Sequence, residues 1–414
     1  MRIKGVLMHF RLFILIALLA LFTGGCGGPG QPKFKGTVVT TLPDLLCRFL
    51  MIGDVDADGQ NEMVASPMKS GVWVLDYDKG QWSKKVIDEN SSGFEHAALI
   101  ADLENDGKYE IYAAADDQGA LKRYLWNGSR FDIEEIAIIE KDLITFGVMP
   151  GKKTPCGQNE SEMPDLVMTQ AQFHSETNAD GKEESVPGAA RMVLLYRNAG
   201  GWRSEIVEDS ESNVFHKAIA YQDAEGPCLL TIGANAAILK QWRHKDGKWE
   251  GTILYQDRFG GSQDRLRDFE IGDVTGDGKD DIVIATHDQG VVLVLEEKQG
   301  QWEATEIDRK PNTFVHEIEL GDFDHDGKME IFATPSEPNK LDGTIQPGLI
   351  VMYKYDGKGF KRSVVEEFPT RHVKEILLGD IDQDSQLELY CAVEGEISKL
   401  GSGEGVLIKQ YRLK

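Results

Sequence analysis

From residue 33 onward the chain breaks into short apolar runs separated by short polar ones, and long helical windows rich in Ala, Leu, Glu and Lys are absent. One phrase recurs within this pattern. An apolar strand is followed by Asp-x-Asp-x-Asp-Gly-x-x-Glu/Asp and then by a second apolar strand. The phrase occurs at Asp54–Glu62, Asp102–Glu110, Asp273–Asp281, Asp322–Glu330 and Asp380–Glu388, with Thr275 and Ser385 as departures from it. The gap between the second and third copies has room for two repeats that lost the phrase. Leu143–Met149 with Leu166–Thr169, and His216–Ala220 with Leu229–Gly233, supply their strands. After each such hairpin come an alternating strand, a Gly- or Asn-containing turn, an aromatic and another strand. The aromatics are Trp82, Phe131, Trp202, Trp249, Trp302 and Phe360, each with Val or Ile four or five positions on. Phe34 with Val38 carries the same mark ahead of the first repeat, and Val406–Tyr411 is a third strand with no fourth after it. The N-terminal strand then supplies the missing outer strand. The expectation is an all-β, seven-bladed β-propeller over residues 33–414, its last blade closed by the N-terminal strand.

The phrase, set between two strands, resembles the FG-GAP/VCBS repeats of bacterial surface proteins and integrin α-subunit heads. The resemblance covers nearly all of residues 33–414. Positions 1, 3 and 5 put side-chain oxygens on one side of a tight turn, the Gly at position 6 permits the bend, and position 9 adds a carboxylate, as in the first part of an EF-hand loop. Hard oxygen ligands without His or Cys select Ca²⁺. The expected ligands are Asp54, Asp56, Asp58 and Glu62; Asp102, Glu104, Asp106 and Glu110; Asp273, Thr275, Asp277 and Asp281; Asp322, Asp324, Asp326 and Glu330; and Asp380, Asp382, Asp384 and Glu388. That implies about five structural Ca²⁺ ions. Thr275 should weaken the third of these loops, and Ser385 should strain the last.

Six positions before each loop's first ligand stand Arg48, His96, Arg267, His316 and Lys374, with His216 and Thr145 aligned in the blades that lack the phrase and His372 close by. Innermost strands start around the mouth of the central channel. These side chains would form a cationic ring there, suited to an anionic or polyhydroxylated ligand such as an acidic sugar. The alternative is that they pair between blades with Asp268, Glu317 and Glu375. Histidines at this location are similar to those in the propeller domain of fungal aldos-2-ulose dehydratases. That comparison implies an enzymatic alternative, a carbohydrate lyase or dehydratase using His96, His216 and His316 as acid/base groups or zinc ligands. A structural part of an envelope complex is the third possibility. Three loops on the ring's side, Ala171–Gly188, Pro335–Gly348 and Gly395–Gly405, are long, and the first reads as mobile.

The first residues differ from the rest. Arg2, Lys4 and Arg11 precede the apolar run Leu12–Phe22, too short to span a bilayer comfortably, and Thr23-Gly24-Gly25-Cys26 follows. This resembles a lipoprotein signal peptide over residues 1–25 with lipidation at Cys26. Residues 26–32 form a flexible tether, and the expected location is the bacterial cell envelope, lipid-anchored at the outer membrane or cell surface. Export implies an oxidising compartment, so Cys156 with Cys228, and Cys47 with Cys391, are candidate disulfides, with buried free thiols as the alternative. The 414-residue chain has 69 acidic against 45 basic residues and a net charge of −24, which argues against nucleic acid as a partner. A glycan or an envelope protein is the expected partner. No GxSxG, HExxH or CxxC motif is present.

Overall fold

The computed structural model describes residues 32–414 apart from 93–96, 141–142, 153–161, 178–180, 182, 234–236, 261–263, 288, 338–346 and 396–404. The signal segment, Cys26, His96 and Cys156 therefore lie outside the described residues. Twenty-eight strands are present among those described, and they form seven four-stranded antiparallel sheets.

Strand β1 spans Phe34–Leu42. Blade 1 holds β2 (Cys47–Gly53), β3 (Glu62–Pro67), β4 (Val72–Asp78) and β5 (Gln81–Asp88); blade 2 holds β6 (Ala98–Ala101), β7 (Glu110–Ala115), β8 (Ala120–Trp126) and β9 (Phe131–Ile138). Blade 3 holds β10 (Leu143–Pro150), β11 (Leu166–Thr177), β12 (Glu183–Asn198) and β13 (Gly201–Asp209); blade 4 holds β14 (Phe215–Asp223), β15 (Gly226–Gly233), β16 (Ile238–Lys245) and β17 (Lys248–Gln256). Blade 5 holds β18 (Leu266–Gly272), β19 (Asp281–Thr286), β20 (Val291–Lys298) and β21 (Gln301–Arg309); blade 6 holds β22 (Phe314–Gly321), β23 (Glu330–Ser336), β24 (Gly348–Tyr355) and β25 (Phe360–Phe368). Blade 7 is β26 (Val373–Gly379), β27 (Glu388–Val393) and β28 (Val406–Leu413), with β1 as its outer strand. The register runs from Phe34 opposite Leu413 to Leu42 opposite Val406, so the expected closure by the N-terminal strand is what the chain does.

Burial follows position in the blade. Second strands such as β3, β7, β19 and β23 are buried at every residue, because a neighbouring blade packs on each face. Outer strands such as β5 and β21 are largely exposed. A hydrophobic cluster joins each pair of neighbours around the ring: one, for example, runs from Leu50 and Met63 in blade 1 to Tyr390 and Ile408 in blade 7. Full burial of each such side chain is worth roughly 1.5–3 kcal/mol.

Two sequence-based expectations need correction. The stretch after Ala171 is not a mobile loop. β11 and β12 continue as a paired hairpin, with Phe173 opposite Pro187 and Thr177 opposite Glu183, after a register shift between Ala171 and Phe173. Polar strand residues pair there through their backbones, which composition alone does not reveal. Among the described residues no disulfide is formed: Cys47, Cys228 and Cys391 are buried free thiols, and Cys156, the candidate partner of Cys228, lies outside those residues. Alternation along β27 is the reason for Cys47 and Cys391. Tyr390 and Ala392 face blade 1 and the cluster containing Cys47, whereas Cys391 faces blade 6. Cys47 Sγ instead donates to the Phe49 carbonyl at 3.6 Å, and Cys391 Sγ lies 3.9 Å from Tyr411 Oη.

Candidate functional site

Every described innermost strand except β6 carries a register shift near its start. The shifts lie between Cys47 and Phe49, Thr145 and Gly147, Phe215 and Lys217, Leu266 and Asp268, Val315 and Ile318, and Val373 and Glu375. A bulge leaves one residue without a ladder partner and turns its side chain out of the pleat. Arg48, His216, Arg267, His316 and Lys374 sit at these bulges. They line one recess of about 420 Å³ at the channel mouth, to which all seven blades contribute. In blade 3 the extra residue is Phe146 rather than the aligned Thr145. Both line the recess, but Thr145 is tied down, donating from Oγ1 to Asp116 at 2.6 Å and from its backbone N–H at 2.7 Å. His372 stands against the recess wall, its ring 4.6 Å from that of His316.

The sequence reading missed Lys217, Arg265, His287 and the aromatic walls Phe146, Phe173 and Phe314. His287 stacks on Phe314 at 4.6 Å, and Phe314 meets His316 edge-on at 4.0 Å. In Lys217 a signal existed, because it occupies the position just after the ring residue, where blades 5, 6 and 7 have Asp268, Glu317 and Glu375.

Those acids have partners of their own. Lys217 Nζ lies 2.9 Å from Asp268 and 3.9 Å from Glu317, and it also pairs with Glu270. Asp268 accepts the Ile318 N–H at 2.7 Å, and Glu375 accepts the Leu50 N–H at 3.2 Å, each latching the next blade at its bulge. Burial, reinforced by neighbouring carboxylates, pushes Glu317 and Glu319 well above the usual range and Glu375 up to about 8. Burial pulls Lys217 down, but Asp268, Glu270 and Glu317 outweigh it and hold the ammonium well above its ordinary value.

Burial disfavours the charged form of three histidines here, His216, His316 and His372. Burial, followed by the charge of Arg267, holds His216 well below its ordinary value; burial, followed by His372 and Arg267, does the same to His316, and burial drives His372 down to about 3. His216 Nδ1 donates to the Leu266 carbonyl at 2.7 Å, which leaves Nε2 as its lone-pair nitrogen. His316 is the reverse: Nδ1 accepts from Arg267 Nε at 3.4 Å, so Nε2 carries the proton, and Nε2 has no hydrogen-bond partner among the described residues. The recess lining holds five cations, Arg48, Lys217, Arg265, Arg267 and Lys374, against three acids, Asp268, Glu317 and Glu375. Basic side chains therefore outnumber acidic ones in the lining of an otherwise acidic protein. No histidine trio at metal-binding spacing occurs among the described residues.

The acidic loops lie at the opposite ends of the innermost strands. Each folds on its first aspartate: Asp54 accepts the N–H groups of Asp58 and Gly59 at 3.1 and 3.0 Å, and the other loops repeat the pattern. Positions 4 and 6 both take positive φ, as in Ala57 at 59° and Gly59 at 89°. Ser385 is held at 68° where the other loops have glycine, so the expected strain is present. Three loops bring carboxylates together within 4.8 Å: Asp54, Asp56 and Asp58; Asp322, Asp324 and Glu330; and Asp380, Asp382 and Glu388. Oxygen-only donors at this spacing fit a hard divalent cation. Asp56 Oδ1 in the first loop, Asp322 Oδ1 in the blade 6 loop and Asp382 Oδ1 in the blade 7 loop are each buried with no hydrogen-bond partner among the described residues, as ligand atoms would be. The other two loops converge less. Glu104 is drawn away to Arg197 at 2.7 Å and Arg123 at 3.3 Å. Thr275 donates to Asp281 at 3.1 Å and partly satisfies it.

A closed ring of four-stranded antiparallel blades defines a β-propeller, and five of its blades carry an acidic turn between the first and second strands. Residues 273–333, which span the loops of blades 5 and 6, match the FG-GAP-like repeat family. No curated protein matches the sequence. Among solved structures, a lectin of Agrocybe aegerita, described for specific recognition of non-reducing terminal N-acetylglucosamine, is 16% identical with a TM-score of 0.45 and covers 79% of this chain and 81% of its own. BBS1N in complex with ARL6DN, soaked with mercury, is 10% identical with a TM-score of 0.51 and covers 92% of this chain and 96% of its own. At that identity the likeness concerns the fold alone.

Proposed function

We propose that this protein is an exported, lipid-anchored propeller of the bacterial envelope that binds an acidic sugar unit of a glycan in the channel-mouth recess. One observation carries the reading: bulges on the innermost strands turn Arg48, His216, Arg267, His316 and Lys374 toward one recess of about 420 Å³. Arginine forks suit a carboxylate, neutral imidazoles suit hydroxyls, and the partly exposed rings of Phe146 and Phe173 suit the apolar side of a sugar ring. The signal-like residues 1–25 and Cys26 support the anchor. Calcium in the acidic loops would hold the opposite face rigid.

The test is calorimetric binding of uronic-acid oligosaccharides against neutral ones of equal length. Acidic oligosaccharides should bind, and Arg267→Gln should weaken them at least tenfold. Equal binding of neutral sugars, or an unaffected Arg267→Gln variant, would sink the proposal. The enzymatic reading draws on His216, whose free Nε2 is a base beside the cations. Release of an unsaturated product during the same experiment would move that reading to first place.

A further inference from the structure

The third strands of blades 2, 4, 6 and 7 each send a basic side chain to the turn that joins the first two strands of their own blade, in blade 2 Arg123 at 3.3 Å from Glu104. In blade 6, Lys354 pairs with Asp324 and lies 2.7 Å from Asp326 and 3.0 Å from Glu330. In blade 7, Arg412 pairs with Asp382 and lies 2.7 Å from Glu388 and 3.2 Å from Asp384. Blade 4 has no Asp-rich phrase, yet it does the same. Arg243 pairs with Asp223, reaches Glu225 at 3.4 Å and donates to the Gly226 carbonyl at 3.0 Å. Blade 4 thus shows how this fold closes such a turn with a cation of its own.

Register explains the placement. Tyr353 faces Ile331 and Tyr411 faces Leu389, so Lys354 and Arg412 fall opposite the ninth-position acids Glu330 and Glu388. In blade 1, Leu75 faces Met63, so the residue opposite Glu62 is Asp76. The same structural position therefore holds a cation in blades 6 and 7 and a further carboxylate in blades 1 and 5, but in blade 5, where Ile282 faces Leu295, that carboxylate is Glu296 and is paired with Lys298 at 2.9 Å.

We propose that Lys354 and Arg412 are resident counter-ions that close their loops without a metal, and that the blade 1 loop, with Asp76 added to Asp54, Asp56, Asp58 and Glu62, is the divalent-cation site on which the fold depends. The proposal rests on the reading of these loops as calcium sites. It replaces five equivalent ions with one tightly held ion and two latent sites. A Lys or Arg head among the carboxylates repels an incoming Ca²⁺ and occupies its place, whereas Asp76 adds attraction.

Calcium titration and thermal unfolding of the full chain, with and without chelator, test this. The natural chain should bind one calcium tightly, and Asp76→Asn should weaken it about tenfold or more. Lys354→Met and Arg412→Met should each add one bound calcium and become more sensitive to chelator than the natural chain. Lys354→Arg should behave like the natural chain. A Lys354→Met chain that folds only with calcium present also supports the proposal; one that calcium does not restore overturns it, as do five equivalent sites in the natural chain. A natural chain and variants that all bind no calcium would instead remove the calcium reading beneath it.

Discussion

Lys240 is the most informative single residue for the ring's stability. It lies on β16 in blade 4, and its Nζ sits 2.8 Å from both carboxylate oxygens of Asp209, at the end of β13 in blade 3. The two side chains are 3% and 5% exposed, so the pair is removed from water, whereas its third partner Glu211 is 60% exposed. Lys240→Met keeps the length of the stem and removes the charge. The loss leaves Asp209 buried without its counter-ion, which costs about 3–5 kcal/mol, and the exposed contact to Glu211 adds no more than about 1. At about 2.1 cal/mol/K of unfolding entropy per residue, a propeller of roughly 380 residues has an entropy near 0.8 kcal/mol/K, so Tm should fall by roughly 4–6 °C. Scanning calorimetry at matched scan rates reads this directly. Adding Asp209→Asn to the variant should restore more than half of the loss, because no uncompensated charge then remains. A Lys240→Met chain within about 1 °C of the parent, or a double variant less stable than the single one, would refute the reasoning.

Further outcomes follow from the buried groups. Glu319 is held well above its ordinary value by burial and by Glu270, Glu375 and Asp268, against the opposing charge of Lys217. Its unfolded form ionises near the ordinary glutamate value, about 4.3, while the native form keeps its proton, so stability falls as pH rises above that value. Glu319→Gln should therefore raise Tm at pH 8 and leave it unchanged near pH 4; a flat difference between the two would count against the buried-carboxylate account. Burial pushes the Cys228 thiol up to about 11 and that of Cys391 up to about 12, so Cys47, Cys228 and Cys391 should be unreactive in the native chain and all titrate after denaturation without reductant. Recovery of none of the three on denaturation would reinstate the disulfides.

The blades were legible because each leaves local marks. Asp54–Glu62 and its four counterparts must turn sharply, and Trp82 and its counterparts start outer strands, so both recur at regular intervals. The ring position of Arg48, Arg267, His316 and Lys374 was legible by counting back from the loops. The bulges beneath them were not, since a bulge is a backbone event that many residue types accept. Phe146 was missed in favour of Thr145 for that reason. Lys354, Arg412 and Asp76 act across a strand ladder, and their role appears only when register is known. The cysteine pairing failed on a one-residue matter, the face of β27 to which Cys391 points.

Strand β1 completes blade 7 by pairing with β28, the last strand of the propeller to be synthesised. Through synthesis, β1 has no partner, and the outer edge of β27 stays bare until β28 arrives. Contacts between opposite ends of a chain form slowly, and an unpaired edge invites pairing with another molecule. The exposure is therefore one of time rather than of strength. A chain halted before residue 406 would lack the one strand that pairs with both β1 and β27, leaving both edges open to another molecule or to a helper that covers strands until the ring shuts.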